Sequence, residues 1–590
     1  MKGRRKTTLK KAFLNVTAVG LAVFTTGGTI ANENVAAINT ALGIKTYEIV
    51  NKDGGDNGEY VRYYQSKYDN IADLKRDGFA KAREAEAEGA VLLKNENGYL
   101  PLKNPEVSLF GVTSVDPVYG GTGSGAVSAA DAPTYQSAFE ASGLTVNQAL
   151  VDWYESSEYG RVIGEGNNTD GRPISIGEAP WSAVSAACDG KFGNGETAVF
   201  IVGRCGGEGC DLRCSTQEDG LDGDYLTLNE EERSVLQGLK EMKDAGTISG
   251  IVVLINSANP ISCRFLNEEE YGVDAALWIG SVGQTGLYAV GDILKGSVNP
   301  SGKLTDTFWA DNKLNPAVTN FGAFQYAGSE AYDFGLAPHK FNNYVVYQEG
   351  VYLGYKYTET RYEDKVLGTP KTGDFAYQDV VAYPFGYGLS YTEFDYSDME
   401  VKKDGSGKDT VYEVSVTVTN TGSCAGKESV QVYVQKPYTE YDIANQIGKP
   451  AVELAGYGKT ELLEPGQSEE LTIQVPEYFF TSFDAYEAGT YILSEGTHYL
   501  TAAPNAHDAV NNILAVKGKT VADGMTADGD PELVESLEYQ FDAETYSTSM
   551  GTGAEVRSLF DFGDINRYEG RGENSVEYIS RNDWEGTVKL

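Results

Sequence analysis

Histidine and cysteine are scarce in this chain, and basic residues are far outnumbered by acidic ones. The 590 residues include 3 histidines and 6 cysteines, and 47 lysines and arginines stand against 86 aspartates and glutamates. The net charge of −39 repels phosphate backbones, so the composition argues against nucleic acid as a partner. Neutral sugars are not repelled by such a charge. The alternative interpretation of the many acidic residues is a solvated surface that keeps the protein soluble.

Three of the cysteines lie close together and suggest a metal site at first sight: Cys205, Cys210 and Cys214. Structural zinc sites, however, use CxxC-like pairs or histidine partners. The histidines lie far along the chain, at positions 339, 498 and 507. We therefore expect no metal ion and no cofactor, and we interpret the cysteines as buried thiols or as one local disulfide.

The N terminus is the exception to the acidic charge balance of the chain. Six basic residues between Lys2 and Lys11 precede residues 12–31, which carry no charge. This layout is typical of a signal peptide or of a single membrane anchor with its positive end inside. Residues 1–31 are therefore predicted to be one or the other. Either alternative places the rest of the chain outside the cytoplasm, secreted or anchored through this segment.

From residue 73 the pattern alternates between helices and short apolar strands. Helices are predicted from Asp73 to Glu88, Thr134 to Ala141, Asn229 to Asp244 and Gly286 to Leu294. Apolar strands are predicted at residues 91–93, 107–110, 198–202, 251–255 and 275–278. Continuous apolar strands separated by helices indicate a mostly parallel sheet covered on both faces. Ligands of such sheets bind beyond the carboxyl ends of the strands, so the loops after those strands become candidates for a site.

After about residue 395 the pattern changes to short strands of alternating polarity. Residues 411–419, 429–435, 471–475 and 491–493 alternate in this way, with the turn Asn420-Thr421-Gly422 after the first. Such strands predict a β-sandwich. The predicted organisation is a linker at 32–72, an α/β domain at 73–395, a β-sandwich at 396–503 and a further linker at 504–590.

Several phrases of the sequence occur in a characteristic order. They are AREAEAEGAVLLKN (82–95), LPL (100–102), RCGGEGCD (204–211), NSANP (256–260), NPSGKL (299–304), EGVYLGY (349–355) and YPFGYGLSY (383–391). In this order they resemble the α/β-sandwich domain of the family 3 glycoside hydrolases, the β-glucosidase and β-xylosidase group. Residues 411–500 resemble the fibronectin type III-like domain of the same enzymes. Each segment alone is weak evidence for the family, whereas the ordered series of segments is specific for it.

The resemblance implies an additional domain. In most of the family a TIM barrel precedes these two domains, and in a minority it follows them. Residues 579–587 resemble the lead-in to a following barrel. We therefore expect the front half of a rearranged enzyme, with the barrel absent from these 590 residues. It would act on a β-glycoside or oligosaccharide as part of a longer or two-part enzyme. The alternative is an anchored carbohydrate-binding or structural protein without catalysis.

The resemblance also implies where the catalytic groups lie. Retaining glycoside hydrolysis uses two carboxyl groups, one as nucleophile and one as acid/base. In the family the nucleophile is an aspartate of the barrel, and we place the acid/base glutamate in the loop that reads VGQTG (282–286), at the position of Thr285. A threonine hydroxyl cannot deliver a proton near neutral pH as a tuned carboxylic acid can.

Glu208 is therefore the candidate for the acid/base. It follows an apolar strand, and its flanking glycines allow the backbone to approach a sugar closely. The other interpretation is that Glu208 pairs with Arg204 or caps a helix. Arg204 and Asp211 are candidate substrate-binding residues, although Asp211 can equally serve as an acceptor that orders the loop.

Overall fold

The computed structural model describes residues 66–161, 175–189, 191, 195–207, 212, 225–320, 324–325, 343–344, 346–369, 371–559, 566 and 575–586, together with positions 17 and 35. The predicted signal or anchor and most of the 32–72 linker lie outside these residues. The chain divides into two compact units, Met1–Lys75 and Arg76–Leu590. In the first unit, the side chain of Asn70 accepts a hydrogen bond from the backbone N–H of Asp73 at the start of a helix.

Six strands of the second unit form one sheet. They are β1 (Val91–Asn95), β2 (Glu106–Phe110), β3 (Thr145–Val146), β4 (Thr197–Arg204), β5 (Gly250–Ser257) and β6 (Ala275–Trp278). Their order is β1-β6-β5-β4-β2-β3, with every neighbouring pair parallel except β1 and β6. All eight residues of β4 and of β5 are buried. The prediction that residues 198–202, 251–255 and 275–278 share a sheet is confirmed.

Six helices precede, connect and follow these strands. They are α1 (Ile71–Gly89), α2 (Tyr135–Ala141), α3 (Gln148–Ser156), α4 (Trp181–Cys188), α5 (Glu230–Asp244) and α6 (Gly286–Lys295). Asn229 caps α5 as predicted, because its side chain accepts from the N–H of Glu232 at 2.8 Å. Alternate residues of the central strands enter two separate apolar cores, so both faces of the sheet are covered.

Several short elements connect this sheet to the next domain. They are α7 (Pro316–Asn320), α8 (Tyr355–Leu367), α9 (Tyr377–Val380) and the strands β7 (Phe308–Trp309), β8 (Phe324–Gln325), β9 (Asn343–Tyr344) and β10 (Val381–Tyr383). Strands β7 and β10 pair with each other, as do β8 and β9.

The second domain is the predicted β-sandwich. Its strands are β11 (Phe394–Asp404), β12 (Val411–Asn420), β13 (Ser429–Gln435), β14 (Glu453–Lys459), β15 (Ser468–Pro476), β16 (Ser482–Asp484), β17 (Thr490–Ile492), β18 (Gly496–Ala503) and β19 (Val534–Tyr539). One sheet has the order β11-β12-β15, the other β14-β13-β18-β19. Every second residue of β12 is buried, and Tyr412, Val414, Val416 and Val418 lie in the apolar core of the sandwich.

The residues after 503 carry more structure than the linker that the sequence predicted. Helix α11 (Ala506–Val516) follows β18, after the short α10 (Glu440–Asn445) earlier in the domain. Strand β19 pairs antiparallel with β18 and completes a sheet of the sandwich. The physical reason is burial, because Val510, Ile513 and Leu514 are fully buried in an apolar core shared with α8.

Within the described part of the chain, no helix is both long enough and apolar enough to cross a membrane.

Candidate active site

The carboxyl ends of β2, β4, β5 and β6 meet at one edge of the sheet, and Asn256 near the end of β5 ties the loops together there. Its Oδ1 accepts from the N–H of Val118 at 2.7 Å and from the hydroxyl of Tyr135 at 3.0 Å. Its Nδ2 donates to the carbonyl oxygens of Val118 and Gly280, at 3.0 and 2.7 Å. The fully buried amide thus joins the loop after β2 to the loop after β6.

Two glycine-rich segments approach each other closely at the same edge. A Cβ atom added to Gly121 would lie 2.8 Å from the carbonyl oxygen of Gly206, and one added to Gly207 would lie 2.9 Å from the amide nitrogen of Thr122. Side chains at these positions would therefore separate the loops after β2 and β4. The glycines that the sequence suggested for a sugar contact serve to bring the two loops together directly before Glu208.

Arg204, the last residue of β4, is fully buried in an ion pair. Its two terminal nitrogens donate to the carboxylate of Glu232 at 2.8 and 2.7 Å. The remaining N–H groups donate to the carbonyl oxygens of Gly203, Tyr225 and Thr227. All five donors of the guanidinium are used within the protein. In this geometry Arg204 orients the start of the loop and offers no donor to a sugar hydroxyl.

Glu178 is a second buried carboxyl group at this edge, and no motif in the sequence pointed to it. Its two oxygens accept from the N–H groups of Val112 and Ala179, each at 2.9 Å. Burial raises the pKa of Glu178 to about 7, although these hydrogen bonds and the charge of Arg204 act in the opposite direction. Glu178 therefore fixes the first residues of the loop after β2.

Thr285 lies in a contact between helices. Its hydroxyl donates to the carbonyl oxygen of Phe79 in α1 at 2.7 Å, and the residue is buried. The position at which we expected the family's acid/base is thus occupied by a hydroxyl that attaches α1 to the start of α6.

Glu86 of α1 packs against the same helix start. A Cβ atom added to Gly286 would lie 3.0 Å from Cγ of Glu86, and Oε1 of Glu86 is buried without a hydrogen-bond partner among the described residues. Burial raises the pKa of this carboxyl to about 8. The side chain is therefore protonated at neutral pH in the folded protein.

Replacing Glu86 with glutamine is expected to stabilise the protein at pH 8 relative to the unchanged chain, with little effect at pH 4.5. The folded protein keeps the carboxyl proton up to about pH 8, whereas the unfolded chain loses it near the ordinary value of 4.5. Between these values unfolding releases a proton, so the free energy of unfolding falls as the pH rises. Denaturant unfolding across this range measures the effect. Glu84→Gln on the exposed part of the same helix is the matched control, and identical pH profiles for the two variants would contradict the assignment.

Glu208 and Asp211 lie outside the described residues, so their predicted roles stay predictions. Of their neighbours, Gly206, Gly207 and Leu212 are described, and a Cβ atom on Gly206 would lie 2.5 Å from the side chain of Leu212. The described cysteines, Cys188, Cys205, Cys263 and Cys424, are free thiols. Among the described residues, no group of histidine, cysteine and acidic side chains could hold a metal ion.

The fold places this chain among α/β proteins whose ligands bind beyond the strand ends, with a β-sandwich as second domain. Residues 90–355 match the model of the glycosyl hydrolase family 3 C-terminal domain, and residues 428–506 match that of the fibronectin type III-like domain. The chain therefore contains the C-terminal domain of glycosyl hydrolase family 3, followed by a fibronectin type III-like domain. This confirms the resemblance found in the sequence.

The curated relatives of this chain are longer than the part they share with it. The β-glucosidase of Ruminococcus albus is 31% identical over 437 residues, which are 72% of this chain and 40% of that protein. β-Glucosidase A of Butyrivibrio fibrisolvens is 30% identical over 458 residues, 72% of this chain and 49% of that protein. The chain thus spans less than half the length of these relatives.

The solved structures that this chain resembles are also longer than the part they share with it. The β-glucosidase of Paenibacillus barengoltzii is 32% identical with a TM-score of 0.57, covering 73% of this chain and 42% of that one. β-Glucosidase 3B of Thermotoga neapolitana in complex with glucose is 27% identical with a TM-score of 0.58, covering 82% of this chain and 56% of that one.

Proposed function

We propose that this chain forms the α/β and fibronectin type III-like part of a β-glucosidase-like glycoside hydrolase, which acts together with a TIM barrel. The observation that carries the proposal is the fixed position of the residues that lead into Glu208 at the carboxyl edge of the sheet. Arg204 fixes the start of this loop through Glu232, and Gly206 and Gly207 hold it against the loop after β2. A catalytic group needs such support to stay in a productive position.

In this proposal the two parts of the enzyme divide the chemistry. Glu208 protonates the glycosidic oxygen as the leaving group departs, while an aspartate of the barrel attacks the anomeric carbon. Glu208 then accepts a proton from the water that hydrolyses the glycosyl-enzyme intermediate. The substrate is a neutral β-glycoside or oligosaccharide, which the net charge of −39 neither attracts nor repels. The reaction uses no metal ion or cofactor.

The experiment that tests this function is the turnover of aryl β-glucosides by the 590-residue chain, with and without a family 3 barrel. Glu208→Gln is the informative variant. Turnover that depends on both the barrel and Glu208 supports the proposal. Clear turnover by the chain without a barrel would contradict the proposed division of the chemistry.

We also propose that the two domains are exported and lie outside the cytoplasmic membrane. The support is the basic N-terminal segment and the uncharged residues 12–31, a layout that directs export. Cells stripped of any outer envelope are expected to expose the β-sandwich to an added protease. Full protection of the chain in intact stripped cells, with digestion after lysis, would contradict this location.

A further inference from the structure

Far from the carboxyl edge of the sheet, three side chains form a continuous line of hydrogen bonds between α8, α11 and the turn that follows α11. The hydroxyl of Thr526 lies 2.6 Å from Nε2 of His507. Nδ1 of the same imidazole lies 2.8 Å from Oε2 of Glu359. Glu359 is fully buried and His507 is buried, whereas Thr526 is exposed to solvent.

The surrounding contacts decide which nitrogen of His507 carries the proton. The hydroxyl of Tyr377 donates to Oε1 of Glu359, so the carboxylate acts as the acceptor for two donors. His507 therefore donates through Nδ1 to Glu359, and Nε2 is left to accept from the hydroxyl of Thr526. The ring of Tyr377 stacks on the imidazole with centroids 3.9 Å apart, which fixes the orientation of the base.

A further donor lies beside the threonine hydroxyl. Oδ1 of Asn511 accepts from the hydroxyl of Tyr362 at 2.7 Å. This turns Nδ2 of Asn511 towards Oγ1 of Thr526, at 3.5 Å. With this amide donating to Oγ1, the proton of the Thr526 hydroxyl is directed to the nearer acceptor, Nε2 of His507 at 2.6 Å, rather than to the hydroxyl of Tyr362 at 3.3 Å.

We propose that Thr526, His507 and Glu359 form a nucleophile, a base and an orienting acid that hydrolyse short-chain acyl esters. This order of groups, with a buried carboxylate behind the histidine, is what activation of a hydroxyl requires. Thr526 lies in an exposed bend, so an acyl group that needs little binding surface can reach it. The substrate class is therefore an ester with a small acyl group, such as acetyl.

The reaction proceeds in two steps. Nε2 of His507 takes the proton of the Thr526 hydroxyl as Oγ1 bonds to the carbonyl carbon. The bond from that carbon to the alcohol oxygen then breaks, and the alcohol leaves with the proton from His507. In the second step a water molecule gives its proton to Nε2 and attacks the acyl-threonine. The carboxylic acid is released and the threonine hydroxyl is restored.

The test uses the full chain with p-nitrophenyl acetate and, separately, with a fluorophosphonate that attaches to activated hydroxyls. Thr526→Val removes the hydroxyl at nearly constant volume and is expected to lower the rate of ester hydrolysis at least tenfold. Thr526→Ser retains a hydroxyl and is expected to retain hydrolysis. Thr472→Val is the matched control, because Thr472 is exposed on β15 and its hydroxyl forms a hydrogen bond with the hydroxyl of Ser415 at 3.1 Å. This control is expected to hydrolyse the ester like the unchanged chain.

Mass spectrometry of the fluorophosphonate-treated chain is expected to locate the adduct on the peptide that contains Thr526. Thr526→Val also leaves Nε2 of the buried His507 without its partner and is expected to lower the thermal unfolding temperature. The adduct is read on the unchanged chain, and Thr526→Ser keeps the hydroxyl, so these two results report on chemistry independently of that loss. An adduct that is absent from this peptide would overturn the proposal. So would equal hydrolysis by Thr526→Val and the unchanged chain. Neither readout depends on a barrel or on glycoside hydrolysis.

Discussion

Replacing Arg204 with methionine is expected to lower the free energy of unfolding by about 3–5 kcal/mol. The change leaves the carboxylate of Glu232 in a buried position without its charged partner, and such broken buried pairs cost about this much. The side chains of Arg204 and Glu232 are 0% and 1% exposed, so water cannot replace the lost contacts. The carbonyl oxygens of Tyr225 and Thr227 also lose a donor. Urea unfolding monitored by circular dichroism measures the effect.

Two further variants test whether the loss of stability in Arg204→Met comes from the unpaired buried charge of Glu232. Lys240→Met on the same helix as Glu232 breaks an i,i+4 pair with Asp244 that is partly exposed, and it is expected to change stability by at most about 0.5 kcal/mol. Arg204→Met combined with Glu232→Gln removes the stranded charge and is expected to recover part of the loss. If Arg204→Met cost no more than the lysine control, the assignment of a buried ion pair would be wrong.

The sheet could be predicted from the sequence because its central strands are fully buried. Continuous apolar runs such as residues 198–202 have few alternatives in a chain that alternates with amphipathic helices. The direction of β1 could not be predicted, because a short apolar run contains no information about the direction of its neighbour. The structure pairs Val91 with Trp278 in the antiparallel sense.

The helix and strand beyond residue 503 were missed for a different reason. Helix α11 buries several polar side chains, among them His507, Asn511 and Asn512, so its buried face does not appear as an apolar stripe. Strand β19 lies at the edge of its sheet and is largely exposed. Edge strands of this kind have too little hydrophobic contrast to be recognised.

The candidate site could be predicted as a place but not as a set of contacts. The rule that ligands bind beyond parallel strand ends selected the loops after β2, β4, β5 and β6, and the structure brings the ends of these strands to one edge of the sheet. The partner of Arg204 is Glu232, 28 residues away, and the partner of Thr285 is the carbonyl oxygen of Phe79, 206 residues away. Such pairs depend on the packing of α5 and α1 against the sheet, and local sequence does not determine it.

The second large effect is expected at Glu208. With a family 3 barrel present, Glu208→Gln is expected to lower the turnover of a β-glucoside with a poor leaving group by about 10²–10⁴-fold, the usual contribution of general acid catalysis. An activated aryl glucoside needs little protonation of its leaving group, so the rate of its first step is expected to fall much less in the variant. Glu230→Gln is the matched control, because Glu230 is an exposed residue of α5. It is expected to behave like the unchanged chain.

The most direct test of the proposed enzyme is therefore the leaving-group dependence of turnover for the unchanged chain and for Glu208→Gln, each measured with the same barrel. The account predicts that turnover requires the barrel. It also predicts that the turnover of Glu208→Gln, relative to the unchanged chain, falls further as the leaving group becomes poorer. Equal turnover of the poor-leaving-group glucoside by both chains would contradict the acid role of Glu208. Full turnover by the unchanged chain without a barrel would contradict the proposal that this chain supplies only one of the two carboxyl groups.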